Sequence, residues 1–198
     1  MSDKKRPYKM KRRAELEAQT KQRITESAVA LHGTLGPART SMKAVAEHAG
    51  VPRSTVYRHF ADEEELFGAC SAHWAMENPP PDITQWEKIG DPSERLEVAL
   101  GELYAFYRRA GGMIDKCLRD EAAVPVVGQL MGAYHQLMQA ITEILMRGRR
   151  LRGKARDRTR AAIGHAIAFP TYKQLTDEAE LSEAEAAELM QRLVSAAR

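Results

Sequence analysis

Within the run SMKAVAEHAGVPRSTVYRHF, from Ser41 to Phe60, guanidinium, hydroxyl and imidazole groups crowd into the last third. A proline can open a helix because the missing N–H is not needed in the first turn, and Pro52 stands at such a start. On that helix Val56 and Phe60 point to one side. Arg53, Ser54 and Arg58, together with Tyr57 and His59, are left outside. A face of this composition is poor core. Its donors and acceptors are those that reach base edges in a nucleic-acid groove.

The surrounding elements are legible from spacing. Leu16, Thr20, Ile24, Ala28, Leu31 and Leu35 recur every three or four residues and predict a helix from Ala14 to about Leu35. It ends at Gly33, Gly36 and Pro37. In Ser41 to Ala49 the apolar set Met42, Val45, Ala46 and Ala49 shares one face, and Ser41 can accept from a free amide at the helix start. Gly50 supplies a left-handed stop, so two short helices meet at a tight turn. Asp62 with Glu65 suits a capping-box variant that starts a longer helix to about Met76. Pro79, Pro80 and Pro81 break the pattern. Helical periodicity then returns over about 93–110, is expected to stop at Gly111 and Gly112, and resumes over 113–121, 124–147, 157–177 and 182–197, with Pro170 expected to kink the penultimate helix. No alternating strand pattern occurs. The expected fold is all-α with about nine helices: a basic flexible arm (1–13), a helix-turn-helix domain (14–61), a connecting helix (62–76) and a larger helical domain (77–198).

Charge supports this division. The first 60 residues hold 13 Lys and Arg against 5 Asp and Glu, and the remainder 17 against 22, so a lobe of +8 precedes a body of −5. One end is built to attract phosphate and the other is not. The run Arg147 to Arg158 is also basic but fits a solvated connector after a helix C-terminus. Cys70 and Cys117 show no metal-ligand spacing, so neither a metal nor a cofactor is expected and the thiols are read as reduced and structural. Neither a signal-peptide pattern nor an apolar run of membrane-spanning length is visible, which leads us to expect a cytoplasmic protein without a membrane partner. No Ser/His/Asp set, glycine-rich phosphate loop, HExxH or paired-carboxylate signature points to an enzyme.

Over Thr40 to Phe67, TSMKAVAEHAGVPRSTVYRHFADEEELF, the sequence resembles the DNA-binding signature of the TetR family of transcriptional regulators, and the likeness extends over about Ile24 to Trp74. The small residues, the turn glycine, the T-V-Y-x-H-F run and the acidic start of the next helix all fall at the family spacing. The resemblance implies double-stranded DNA as partner. A recognition helix would enter the major groove with Arg53, Ser54 and Arg58 as base-reading candidates and Lys43 beside them. It also implies that Thr55, Tyr57 and His59 hold phosphates, as Ser41 can do at a helix start. Glu63 stands where many relatives carry a phosphate-binding lysine. The basic arm, particularly Lys9, Lys11, Arg12 and Arg13, is available to compensate through phosphates or the minor groove.

For the rest of the chain the resemblance implies a homodimer, formed by the last two helices, on a palindromic operator, and a small-molecule effector that releases a repressor by shifting the helix after the recognition helix. Ala161, Ala162, Gly164, Ala168, Leu189 and Leu193 offer the small and apolar surface a dimer interface needs. An effector pocket among the central helices could draw on Trp74, Tyr104, Tyr107, Met113, Cys117, Met131, Tyr134, His135, Met138, His165 and Phe169. Each of these can equally be ordinary core. In the alternative reading the C-terminal domain only dimerises or binds a protein partner.

Overall fold

The computed structural model describes the backbone of residues 5–197, and side chains from Met10 onward. The described residues contain helices and no strand. They divide into two compact units, Met1–Glu77 and Asn78–Arg198.

The first unit holds four α-helices: α1 (Lys5–Thr34), α2 (Met42–Ala49), α3 (Arg53–His59) and α4 (Glu63–Glu77), with a single 3-10 turn at Pro37–Arg39 between α1 and α2. α1 packs on α4, α2 and α3. The apolar stripe foreseen for α1 is buried at Ile24 and Ala28 and closes over Met42, Val45, Ala46, Ala49, Val56, Phe60, Leu66 and Phe67. Burying each of the larger of these side chains stabilises the unit by about 1.5 to 3 kcal/mol. α1 begins earlier than its stripe suggested. From Lys5 the backbone is helical, so most of the expected arm is the first two to three turns of this helix, and residues 1–4 lie outside the described part. Leu16 and Leu35, placed on the core stripe by spacing, are exposed.

The second unit comprises α5 (Ile83–Trp86), α6 (Pro92–Asp120), α7 (Pro125–Met146), α8 (Gly153–Ala166), α9 (Phe169–Lys173), a π-turn (Gln174–Glu178) and α10 (Glu183–Ala196). α6 is its axis, packing against α10, α7, α9 and α5. Two expectations fail here. Gly111 and Gly112 do not interrupt α6, which runs unbroken for 29 residues. At Gly111 the missing side chain admits a neighbour, because a Cβ there would meet the Phe169 ring at 2.9 Å. Pro170 does not kink a helix but sits in the first turn of a new one: α8 ends at Ala166 and α9 restarts at Phe169. The missing proline N–H costs nothing in a first turn.

The break is held by tyrosines. Tyr104 Oη donates to the Ala166 carbonyl at 2.8 Å and Tyr107 Oη to the Ile167 carbonyl at 2.7 Å. Arg95, 5% exposed, performs the same service at the other end of the unit: its guanidinium donates to the carbonyls of Trp86, Ile89, Ile144 and Arg147 at 2.8 to 3.1 Å. Helix ends and breaks leave carbonyls without intrahelical partners, and buried ones need donors from elsewhere.

Candidate nucleic-acid interface and effector domain

The geometry of α2 and α3 follows from four local devices. Ser41, in extended conformation, accepts the Ala44 amide at 3.2 Å and fixes the start of α2. Gly50, with φ 64° and ψ 38°, occupies the left-handed region, and its N–H together with that of Val51 satisfies the last carbonyls of α2. Pro52 stands one residue earlier than a first helical position, as the N-cap, with its carbonyl accepting the Thr55 amide at 2.8 Å. Val56 and Phe60, 0% and 1% exposed, clamp α3 onto α1 and α2. Helix α4 then starts as its sequence suggested, with Asp62 accepting the Glu65 amide and Glu65 accepting the Ala61 amide, each at 2.8 Å.

What the clamp leaves outside is the polar face. Arg53, Ser54, Tyr57 and Arg58 are exposed and Thr55 is half-buried. Arg53 lies over the Tyr57 ring at 5.3 Å and donates to its hydroxyl at 3.0 Å, which reduces the freedom of both side chains before any partner arrives. Lys43, one helix earlier, pairs loosely with Glu47 at 3.7 Å, and both side chains are well exposed, so the lysine is readily released. The Ser41 hydroxyl oxygen is used as an acceptor, and its O–H stays available to a phosphate.

His59 departs from the expected pattern. It is half-buried and its Nε2 is enclosed with no hydrogen-bond partner among the described residues, while burial and the neighbouring Arg58 hold its pKa below the usual histidine value. Like Thr55, and unlike Ser41 and Tyr57, it is not fully exposed. A second histidine, absent from the candidate set, is more deeply enclosed: His32 Nδ1 lies 3.3 Å from Cys70 Sγ and its ring packs on Phe67, and burial lowers its pKa to about 4. Its place on the α1 stripe, one residue after Leu31, was the available signal.

Residues 24–70 match the family of bacterial regulatory proteins, tetR family. These residues are a TetR-family DNA-binding domain. Helix α3, with its exposed Arg53, Ser54, Tyr57 and Arg58, lies within the matched residues. The chain as a whole has the fold of solved TetR-like regulators. It is similar to a TetR-like transcriptional regulator from Rhodococcus sp. RHA1 at 20% identity, covering 89% of this chain and 93% of that one, with a TM-score of 0.64. A further transcriptional regulator from Rhodococcus sp. Rha1 gives 16% identity, coverage of 88% and 94%, and a TM-score of 0.60. A TetR transcription regulator from Haloarcula marismortui ATCC 43049 gives 10%, 91% and 96%, and 0.57. No curated protein matches by sequence.

Outside the TetR-type domain the candidate effector residues separate. Trp74 lies on α4 in the first unit, whereas the other ten lie in the second. Tyr104, Tyr107 and Phe169, with Tyr172, form one aromatic cluster with ring centroids 5.1 to 6.4 Å apart. The cluster is packed core, and two of its hydroxyls already serve the α8–α9 break. Met131 and Cys117 are buried, burial pushing the Cys117 thiol up to about 11. Tyr134 is half-buried next to Tyr107, Met138 Sδ lies 3.6 Å from the Tyr107 hydroxyl, and Met113 is half-buried on α6. The two histidines stand apart. His135 is exposed against Glu121 at 3.0 Å, and His165 is exposed with Nδ1 3.2 Å from the Thr171 hydroxyl. A surface cleft of about 410 Å³ does open between α6, α9 and the π-turn, and Tyr107 and Phe169 contribute to its lining beside Gly111, Asp115 and Lys173. Lys173 and Asp115 close across it at 2.7 Å.

The six dimer candidates fall on helices α8 and α10, which pack together, and in the α8–α9 link. Ala161, Leu189 and Leu193 are exposed, the leucines at 44% and 42%, while Ala162, Gly164 and Ala168 are half-buried. None is enclosed within the chain's own core. Among the described residues, no helix is long and apolar enough to cross a membrane.

Proposed function

We propose that this protein is a transcriptional repressor that binds a palindromic operator as a homodimer and leaves it when a small molecule occupies its C-terminal unit. The observation that carries the reading is the exposed Arg53, Ser54, Tyr57 and Arg58 face of a helix pinned at both ends within residues 24–70. Arg53 and Arg58 are the base readers. Each bidentate contact to guanine is worth about 1 to 3 kcal/mol of discrimination. Thr55 and Tyr57 hold phosphates with Ser41, and Lys43 reaches the duplex from α2.

Exposed Leu189 and Leu193 beside the small residues Ala161 and Gly164 support pairing of α8 and α10 with their copies. A dimer of this kind places two recognition helices on half-sites about one helical turn, roughly 34 Å, apart. The cleft beside Tyr107 and Phe169 supports effector entry, since a ligand wedged there would press on the tyrosine-held break that precedes α10. The packed aromatic cluster favours a second reading, in which the C-terminal unit only dimerises or binds a protein.

The test is fluorescence anisotropy on a duplex recovered from a random-sequence pool by selection with the full chain, against a scrambled duplex at fixed salt. Wild type should prefer the selected duplex, and Arg53→Ala should lose at least about tenfold of that preference. Equal binding by both proteins to both duplexes would reject the regulator reading. A compound that raises the melting temperature and lowers operator affinity decides for effector release; one that raises stability and leaves affinity untouched decides for the second reading.

A further inference from the structure

Among the described residues, the stretch of α1 ahead of Thr20 is helix that contributes no side chain to the core. Each of residues 10–19 is exposed, and the buried stripe of α1 begins only at Ile24. Where α1 meets the end of the recognition helix, Lys21 Nζ lies 5.1 Å from the Phe60 ring centre, and Glu17 and Lys21 are close enough to His59 to influence its titration. The turns of α1 ahead of Glu17 lead away from that contact over 12 residues, or about 18 Å of helix. Residues 1–13 hold seven Lys and Arg against one Asp. Four consecutive acids, Asp62 to Glu65, open α4, so this unit's positive charge is not carried there.

We infer that the N-terminal turns of α1 are a second DNA-contacting element, a cationic helix that lies along phosphates beside the recognition helix. The inference rests on the operator-binding reading above. The helical conformation determines the mode of contact. A helix with its side chains is about 10 to 12 Å across, and the minor groove is about 6 Å wide, so this segment binds the backbone from outside rather than entering the groove as a flexible arm would. Lys11 and Arg12 are exposed, while Arg13 is held by Glu17 at 3.3 Å; the first two are the contacts to remove. Phosphate contacts carry no sequence information, so their loss lowers affinity for every duplex equally.

The experiment compares wild type, the double variant Lys11→Gln/Arg12→Gln and Arg53→Ala. Each is titrated against the selected and scrambled duplexes across a salt series, with circular dichroism and melting confirming that all three fold. Each phosphate contact contributes about 0.9 to the slope of log affinity against log salt. The double variant should lose roughly 2 from that slope per chain on both duplexes and keep the wild-type preference between them. An unchanged slope on both duplexes overturns the inference, and so does a loss confined to the selected duplex, which would make these residues base readers. If wild type shows no preference and Arg53→Ala changes nothing, the regulator reading falls. The slope on scrambled DNA still decides the helix: a drop of about 2 sustains it and no drop overturns it.

Discussion

Helices α3 and α6 carry the same vocabulary, arginines and tyrosines at helical spacing, and use it in opposite ways. On α3, Arg53 and Tyr57 are exposed and hydrogen-bond to each other. On α6, Arg95, Tyr104 and Tyr107 are enclosed and donate to main-chain carbonyls of other segments. What separates them is the state of the nearby backbone. The ends of α2 and the start of α3 are satisfied locally by Ser41, Gly50 and Pro52, so no orphan group claims the arginines. The ends of α5 and α7 and the α8–α9 break leave buried carbonyls, and long donors on α6 are drawn in to meet them.

Exchanging the two arginines' fates by mutation gives the sharpest contrast. Arg95→Ala should cost about 2 kcal/mol or more, because the Ile89 and Arg147 carbonyls lose their donor together, while those of Trp86 and Ile144 keep a backbone N–H, and each unsatisfied buried group costs about 1 to 3 kcal/mol. Arg53→Ala should leave the melting temperature unchanged and remove DNA preference. Thermal melting and anisotropy on the two variants decide the matter; an Arg95→Ala protein that melts like wild type would remove the distinction drawn above.

The first unit also contains a group committed to the interior, and pH reveals it. His32 is neutral when folded, its pKa lowered by burial from 6.5 to about 4. Because the folded value lies below the unfolded one, its contribution is fully present above pH 6.5 and is lost as pH falls toward 4. The loss approaches about 3 kcal/mol. His59, lowered mainly by burial, acts in the same direction. Melting measured from pH 7 to 4.5 should show this destabilisation in wild type and a flatter profile in His32→Gln. Parallel profiles would mean that His32 takes up a proton in place.

Most of the first unit was legible because its signals are short-range. A cap at Ser41, a left-handed Gly50, and an apolar pair at Val56 and Phe60 each act within a turn or two. The second unit misled where long-range packing decides. Two adjacent glycines looked like a helix stop, yet α6 continues because tertiary contacts along its length outweigh a propensity cost of about 1 kcal/mol per glycine. That the hydroxyls of Tyr104 and Tyr107 serve the α8–α9 break was not legible, because the carbonyls they satisfy lie some 60 residues away. The basic segment ahead of Ala14 looked like an arm because it has no apolar stripe, and a stripe is what packing requires but not what a helix extending beyond its partners requires.

Tyr107→Phe tests the committed side at single-atom scale. Removing the hydroxyl leaves the Ile167 carbonyl without that donor while the ring keeps its packing, so stability should fall by about 1 to 2 kcal/mol. Loss of that bond also frees the α8–α9 link, which amide exchange at Ile167 and Ala168 would report as faster opening. Unchanged stability and exchange would show that the link is held by packing alone.

The smallest effects come from the two glycines of α6, and their signs are opposite. A Cβ at Gly112 meets nothing within 4 Å, so Gly112→Ala should add helix propensity without a clash and stabilise by up to about 1 kcal/mol. A Cβ at Gly111 meets the Phe169 ring at 2.9 Å, and that ring is only 4% exposed and packed edge-on against Tyr107. It has little room to yield. Overpacking of this kind costs about 1 to 3 kcal/mol, which outweighs the same propensity gain, so Gly111→Ala should destabilise. Adjacent residues of one type on one helix would then differ in sign solely through what faces them. If both substitutions stabilised, the Phe169 side of the cleft would be soft, and α9 rather than the tyrosines would be the part that yields.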